Sequence, residues 1–354
     1  MYYKILTSAK KKDWNNALKK LPIDQQDIYY TPEYYELYEN YGDGKAQCFV
    51  FEKDGDIALY PFLLNSVNEL GYELNKEYFD IQGAYGYNGV VSSFYDETFI
   101  DAFFKVFNKY CIENNIIAEF TRFHPILNNH QFSLDYFNVL FDRSIVYIDV
   151  NKSYDELWGD LQRTTRKQIN RCYKRYNFKV DVLEDESYDL NVFENIYTKS
   201  MVRVHSSKYL YFNHQYFEQL LNLPTTIQYI VWKDNHPIST IIALKGSKIL
   251  HGHLGGTRDE YLTYSPFSML YWEMIKTAKK QDKNYVQVGG GNTTAENDKL
   301  LVYKKHFSST ENNFHIGKKI HNQEIYDQVQ TQWQSKYPES YKKNSIKLLG
   351  YREI

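Results

Sequence analysis

Two lysines stand side by side near the end of the chain, Lys304 and Lys305, behind Tyr303 in the run VYKKHF. An ammonium group there would stabilise an oxyanion or a phosphate, and a lysine pair on a helix is equally the ordinary form of a solvated face. Neighbouring helix residues point in different directions, so only one of the two would face a cleft. Upstream, Gly289-Gly290-Gly291 ends the run NYVQV. Glycines there let a backbone approach a ligand closely, or simply make a tight turn. This is not a P-loop, because Gly-Lys-Ser/Thr is absent. Arg203 lies in MVRVHSSKYLYF with Lys208 behind it. A guanidinium fork would hold a diphosphate or carboxylate there, or close an interdomain salt bridge. His251 and His253 alternate with Gly252 and Leu254, which on a strand aims both at one face. They read as a cleft lining, a general base or a satisfied structural pair. No Cys or acid lies at metal-ligand spacing from them, so no metal is expected. Residues 161–176 carry Arg163, Arg166, Lys167, Arg171, Lys174 and Arg175 with almost no acids. That run attracts phosphates, unless it is only a solvated helix face. No Ser-His-Asp or Cys-His arrangement stands out.

The elements that must position these groups show a repeated order. Two β-rich runs, AQCFVFEK and DIALYPFLL, flank Asp54-Gly55, a hairpin signal. FDIQGAYGYNGVV follows as a strand broken by glycines, with Tyr85 and Tyr87 on either side of Gly86. Apolar residues at 99, 100, 103, 104, 106 and 107 mark a buried helix, and IIAEFTRF is the strand after it. From 226 the same series recurs: TIQYIVWK and PISTIIALKG joined by a turn, KILHGHLGG, a helix started at Ser265-Pro266, and NYVQVGGGN. Hairpin, third strand, long helix and further strand thus occupy 46–121 and again 226–291, which points to an internal structural repeat. The fold class expected is α/β, a mixed sheet with helices on its faces. The first domain is placed at 1–148, the second at 149–320, and a helical tail at 321–354 packs back on the body. Residues 154–176 read as one basic helix.

With 354 residues there is room for two domains. The net charge of −2 gives no global mark of a nucleic-acid binder. Cys48, Cys111 and Cys172 are far apart and odd in number, which favours a reducing compartment over a disulfide framework. The N-terminus lacks an apolar signal core, and no segment approaches 18 apolar residues. A cytoplasmic protein without a transmembrane segment is the expectation. The 35 tyrosines suit half-buried grooves, although codon bias explains such a composition as well.

Five weak motifs in order resemble the Fem family of peptidoglycan-bridge aminoacyltransferases and the related BioF2-like, GNAT-type acetyltransferase domains. They are YDELWGDLQRTTRKQINR; IYTKSMVRVHSSKYLYFNHQYFEQL; GHLGGT with SPFSMLYWEMIKTA; VGGGNTTAENDKLLVYKKHFS; and, in the first half, YPFLL with AYGYNGVV. The resemblance implies two tandem GNAT-like acyltransferase domains and acyl transfer to an amine, with acyl-CoA or aminoacyl-tRNA as co-substrate and no tightly bound cofactor. It implies a nucleotide- or lipid-linked sugar or muropeptide precursor as acceptor, and tRNA as a further candidate partner. Lys304 matches the family's lysine and would stabilise the tetrahedral oxyanion or a donor phosphate. On this reading Lys304 and His253 are the catalytic candidates. Arg203, Lys208, Tyr85, Tyr87, Gly289, Gly290, Tyr303 and Lys305 are candidates for substrate binding. Arg163, Arg166, Lys167 and Arg171 are candidates for phosphate or tRNA contact.

Acyl transfer to an amine needs aligned substrates, loss of a proton from the amine, and stabilisation of the carbonyl oxygen. Common acetyl-CoA enzymes of this type grip the pyrophosphate with a glycine loop at a helix N-terminus. Here the corresponding segment is GGTRDEYLTYSPF, which lacks that pattern and offers Pro266, with no amide hydrogen. VVSSFYDETF in the first half is no better. Three readings follow: an aminoacyl-tRNA-dependent ligase, an acyl-CoA-dependent N-acyltransferase of an amino sugar, and a non-catalytic binding protein that keeps the fold.

Overall fold

The computed structural model describes residues 2–354. Its contacts divide the chain into two units, residues 1–142 with 314–354 and residues 143–313.

In unit 1, β1 (Tyr2–Thr7) and α1 (Lys11–Leu18) precede α2 (Pro32–Tyr41). The start and end of α2 follow local rules. The Thr31 hydroxyl accepts from the Tyr34 amide, Pro32 takes the first position, and Gly42 closes the helix at φ +99°. β2 (Lys45–Lys53) and β3 (Asp56–Ser66) form the hairpin. Asp54 at φ +54° and Gly55 at +97° both occupy left-handed space, as a two-residue hairpin turn requires. β4 (Phe79–Gln82), the short β5 (Val91–Ser92), α3 (Glu97–Glu113) and β6 (Ile116–Arg122) complete this part. β4 pairs parallel with β6, and α3 makes the crossover. The helix buries Phe99, Phe103, Phe104 and Phe107 against Phe49, Phe51 and Tyr60 of the hairpin.

Unit 2 repeats the plan. β7 (Asn138–Asp149), whose residues from Arg143 belong here, is followed by α4 (Tyr154–Asp160) and α5 (Arg163–Lys174). The single helix expected over 154–176 is two, because Leu161 and Gln162 are extended at ψ 140° and 144°. Then come β8 (Lys179–Leu183), α6 (Leu190–Arg203), α7 (His214–Leu221), β9 (Thr226–Lys233), β10 (His236–Lys245), β11 (Ile249–Thr257), α8 (Phe267–Lys280), β12 (Tyr285–Gly290) and α9 (Lys299–Lys305). β11 and β12 are the parallel pair, with α8 as crossover. Met269, Leu270, Met274, Ile275 and Ala278 of α8 pack on Ile227, Tyr229, Ile241 and Ala243. The mixed α/β architecture and the repeat are both as expected.

The chain returns to unit 1 with β13 (Glu311–Ile320), α10 (Gln323–Lys336) and α11 (Pro338–Asn344). β13 pairs antiparallel with β6, from Ile316↔Arg122 to Ile320↔Ala118. Strand order is β1-β2-β3-β4-β6-β13 in unit 1 and β8-β9-β10-β11-β12-β7 in unit 2. Each unit therefore takes its last strand from the stretch expected to belong to the other. This exchange moves the boundaries from the expected 148 and 320 to 142 and 313, and it makes the 321–354 tail part of unit 1. There Val329, Trp333 and Tyr351 pack on Ile117 and Tyr72.

Candidate active site

The ladder between β11 and β12 pairs only Ile249–His251 with Tyr285–Gln287. Both strands continue beyond it. On the β10 side, Ile242 pairs with Leu254 and Ala243 with Gly252, so His253 is an extra, bulged residue. A bulge kinks and twists its strand. A second irregularity, between Gln287 and Gly289, lies where β12 pairs with β7. Past His251 and Gln287 the described residues show no further ladder pair between the two strands, which leaves an opening between them there. In unit 1 the corresponding opening is filled by the chain's own loop. The Asn88 amide donates to the Arg122 carbonyl at 2.6 Å, its side-chain oxygen accepts from the Arg122 amide at 2.9 Å, and Arg122 Nη2 donates to the carbonyls of Gly83 and Ala84. The asymmetry favours chemistry in unit 2.

Lys304 is buried at 9% exposure, and its Nζ donates to the Gly290 carbonyl at 2.7 Å. Helical side chains lean toward the N-terminus, which carries this ammonium back to the glycine turn before α9. Gly289 has φ +82°, and a Cβ there would lie 3.1 Å from Nζ. Burial pushes the Lys304 pKa down from 10.5 to about 7; Asp298 opposes the shift and the nearby Arg143 adds to it. Lys305 points elsewhere and pairs with Glu311 at 2.9 Å. Tyr303 hydrogen-bonds the Ser268 hydroxyl at 3.0 Å, and burial pushes its phenol up to about 12. Two further residues at this turn were not singled out in the sequence. Arg143 Nη1 donates to the Gly291 carbonyl at 2.9 Å. Asp298 caps α9 through the amides of Leu300 and Leu301 at 2.9 and 3.1 Å. An Asp just before a short periodic run is a readable cap signal. Arg143 carries no such signal, because its contact is 148 residues away in sequence.

The Gly289→Ala variant tests the close approach. A left-handed non-glycine residue costs about 1–2 kcal/mol, and the added methyl displaces Nζ. We expect that stability loss in urea unfolding and about a tenfold or greater fall in turnover.

His253 hydrogen-bonds the Tyr216 hydroxyl at 3.4 Å through Nε2. Burial, helped by the nearby His251, pushes its pKa down to about 3, so the ring is neutral across the physiological range. His251 is buried with Nδ1 3.2 Å from the Gln287 side-chain oxygen. The bulge breaks the strict alternation from which the sequence placed both rings on one face.

The remaining candidates divide. Arg203 ends α6, donates to the Thr257 carbonyl at 2.9 Å and pairs with Asp259, so its salt bridge lies within unit 2 and not between domains. Lys208 is exposed on a turn. Arg166 donates to the carbonyls of Trp158, Gly159 and Leu161 and thereby caps the end of α4. Arg163, Lys167 and Arg171 are exposed along α5. Tyr85 and Tyr87 lie in unit 1 and are partly exposed; Tyr87 packs edge-on against Tyr29 and Phe314. At the start of α8, the amides of Ser268 and Met269 are taken by the carbonyls of Ser265 and Pro266 at 3.1 and 2.9 Å.

Residues 159–305 match the family described as acetyltransferase (GNAT) domain. The fold is shared with FemX at 12% identity, over 92% of this chain and 99% of that one, with a TM-score of 0.67. It is also shared with L-PGS from Bacillus licheniformis at 10% identity, 87% and 91% coverage and a TM-score of 0.55. A tandem GNAT protein from the clavulanic acid biosynthesis pathway is similar at 5% identity, 91% and 98% coverage and a TM-score of 0.51. At such identities the likeness is one of fold. No curated protein matches the chain in sequence. Residues 159–305 thus carry a GNAT acetyltransferase domain, and the chain as a whole shares its two-unit fold with FemX.

Proposed function

We propose that this acyltransferase moves an acyl or aminoacyl group from an activated donor to an amine of a cell-wall or surface-polysaccharide precursor, and that Lys304 carries the proton. The observation behind this reading is a buried lysine, shifted to about 7, held on a glycine turn beside diverging strands. A group with a pKa near the working pH serves best in proton transfer. The neutral Nζ takes a proton from the acceptor ammonium. The freed amine attacks the donor carbonyl and a carbon–nitrogen bond forms. The new Lys304 ammonium faces the developing oxyanion. As the intermediate collapses, the nitrogen gives up its second proton to solvent, the bond to the leaving thiol or ribose hydroxyl breaks, and Lys304 returns its proton to that group. His253, with its low basicity, is left to orient the acceptor or donor by hydrogen bonding. No helix among the described residues is long and apolar enough to cross a membrane. Lys208, in the same unit as Lys304, remains our candidate for holding an anionic group of the acceptor.

For the donor, two observations favour aminoacyl-tRNA over acyl-CoA. The first amides of α8 are engaged locally, which leaves no ready pyrophosphate cradle there. Arg163 sits at the first position of α5, where the helix dipole disfavours a cation, and no acid in the first turn offsets it. Phosphates along Arg163, Lys167 and Arg171 relieve that repulsion. Purified protein is assayed for thermal stabilisation by coenzyme A and for retention of charged tRNA. We expect tRNA retention, weakened in a Lys167→Ala/Arg171→Ala variant, with the slope of log affinity on log salt reduced by about one for each phosphate that the variant no longer holds. Stabilisation by coenzyme A without tRNA retention would overturn the donor assignment, and neither response would favour a binding protein.

A further inference from the structure

Lys304 is surrounded by charged groups from two elements that act on it in opposite senses, Asp298 at the head of α9 and Arg143 on β7. Asp298 does more than cap. Its Oδ1 accepts from the amides of Leu300 and Leu301, while Oδ2 accepts from the amides of Asn292 and Thr293 at 3.1 and 3.0 Å and from the Thr293 hydroxyl at 3.0 Å. One carboxylate thus ties both ends of the 291–298 loop together. The loop closes on it only because residue 291 is glycine, since a Cβ there would lie 2.6 Å from Oδ1. A seven-residue helix has little stability of its own, so α9 depends on such a tie. Lys304 is six residues beyond Asp298, about 9 Å along the helix axis, and its side chain returns toward the clamped loop.

We propose that Asp298 is a positioning residue for Lys304: its carboxylate clamps the glycine turn to α9 so that Nζ is held on the Gly290 carbonyl, with Arg143, which grips the Gly291 carbonyl, as the opposing charge. The Asp298 carboxylate is held down at about 2, chiefly by the Leu301 amide, so it is a fixed negative charge at working pH. It favours the ammonium form of Lys304, and Arg143 favours the neutral form. The activity arm of the test rests on the acyl-transfer reading above; the titration arm does not.

The experiment is an NMR titration of the Lys304 ε-methylene in full-length protein labelled with carbon-13 lysine, its signal assigned with Lys304→Met. Asp298→Asn is expected to lower the midpoint by about half a unit or more, and Arg143→Met to raise it by a similar amount. In transfer assays the rising limb of rate against pH is expected to move the same way in each variant, with turnover of Asp298→Asn down more than tenfold. Unchanged midpoints, or shifts of one sign in both variants, would overturn the proposal. If Asp298→Asn does not fold, the direction of the Arg143→Met shift decides. Opposite shifts in a wild-type protein that transfers no acyl group would sustain the positioning role and sink the acyl-transfer reading.

Discussion

Lys304→Met is expected to lose acyl transfer by about 10²–10⁴-fold and yet to be more stable than the parent protein at neutral pH. The folded lysine titrates near 7, against 10.5 when exposed. The unfolded chain therefore binds more protons between those values, and the destabilisation is complete below about pH 7 and fades toward pH 10.5. Its gross size is on the order of 5 kcal/mol. The substitution also leaves the Gly290 carbonyl without its partner, which returns about 1–3 kcal/mol. A net gain of about 2 kcal/mol at pH 7, shrinking as the pH rises, is the expected result in urea unfolding. Destabilisation at pH 7 with turnover intact would mark Lys304 as a structural lysine.

The second large effect lies at the far end of the chain. Asp80 is fully buried, and Arg352 Nε donates to its two oxygens at 2.9 and 2.8 Å. The Tyr351 hydroxyl donates to it at 2.6 Å, and Arg352 Nη2 reaches the Ser66 carbonyl at 3.1 Å. Burial outweighs these partners and holds the Asp80 pKa above the usual carboxylate range. A raised carboxylate favours folding most at low pH and loses that contribution as pH rises through its folded pKa. Arg352→Met removes the compensating charge and is expected to cost about 3–5 kcal/mol at pH 8. The loss shrinks toward pH 5, where protonation of Asp80 relieves the unpaired charge. Urea unfolding at the two pH values checks this, and equal losses at both would show that Asp80 is not the group left exposed to the change.

Much of the fold follows from local chemistry that can be read in one dimension. Thr31, Pro32 and Gly42 frame their helix, Asp54-Gly55 makes its turn, and the order of hairpin, strand, helix and strand recurs in both units. The exchange of β7 and β13 is not readable that way, because pairing such as Gly317↔Thr121 joins strands nearly two hundred residues apart. The site is legible in part. Lys304 and the glycine turn stand out as residue types, but the choice of Lys304 over Lys305 depends on which ammonium the glycine turn buries. Arg166 and Arg203 looked like ligand cations because sequence shows charge without its partners. Here those partners are carbonyls and Asp259.

The most direct measurement is the rate of N-acylation of an amino-sugar or muropeptide precursor from pH 5.5 to 9, by mass spectrometry, with acyl-CoA or aminoacyl-tRNA supplied at saturation. The wild-type rate should rise through a midpoint near 7, set by Lys304, and Lys304→Met should lack both the rate and that limb. A rate flat across this range, or a limb retained in Lys304→Met, would contradict the assignment of proton transfer to this lysine.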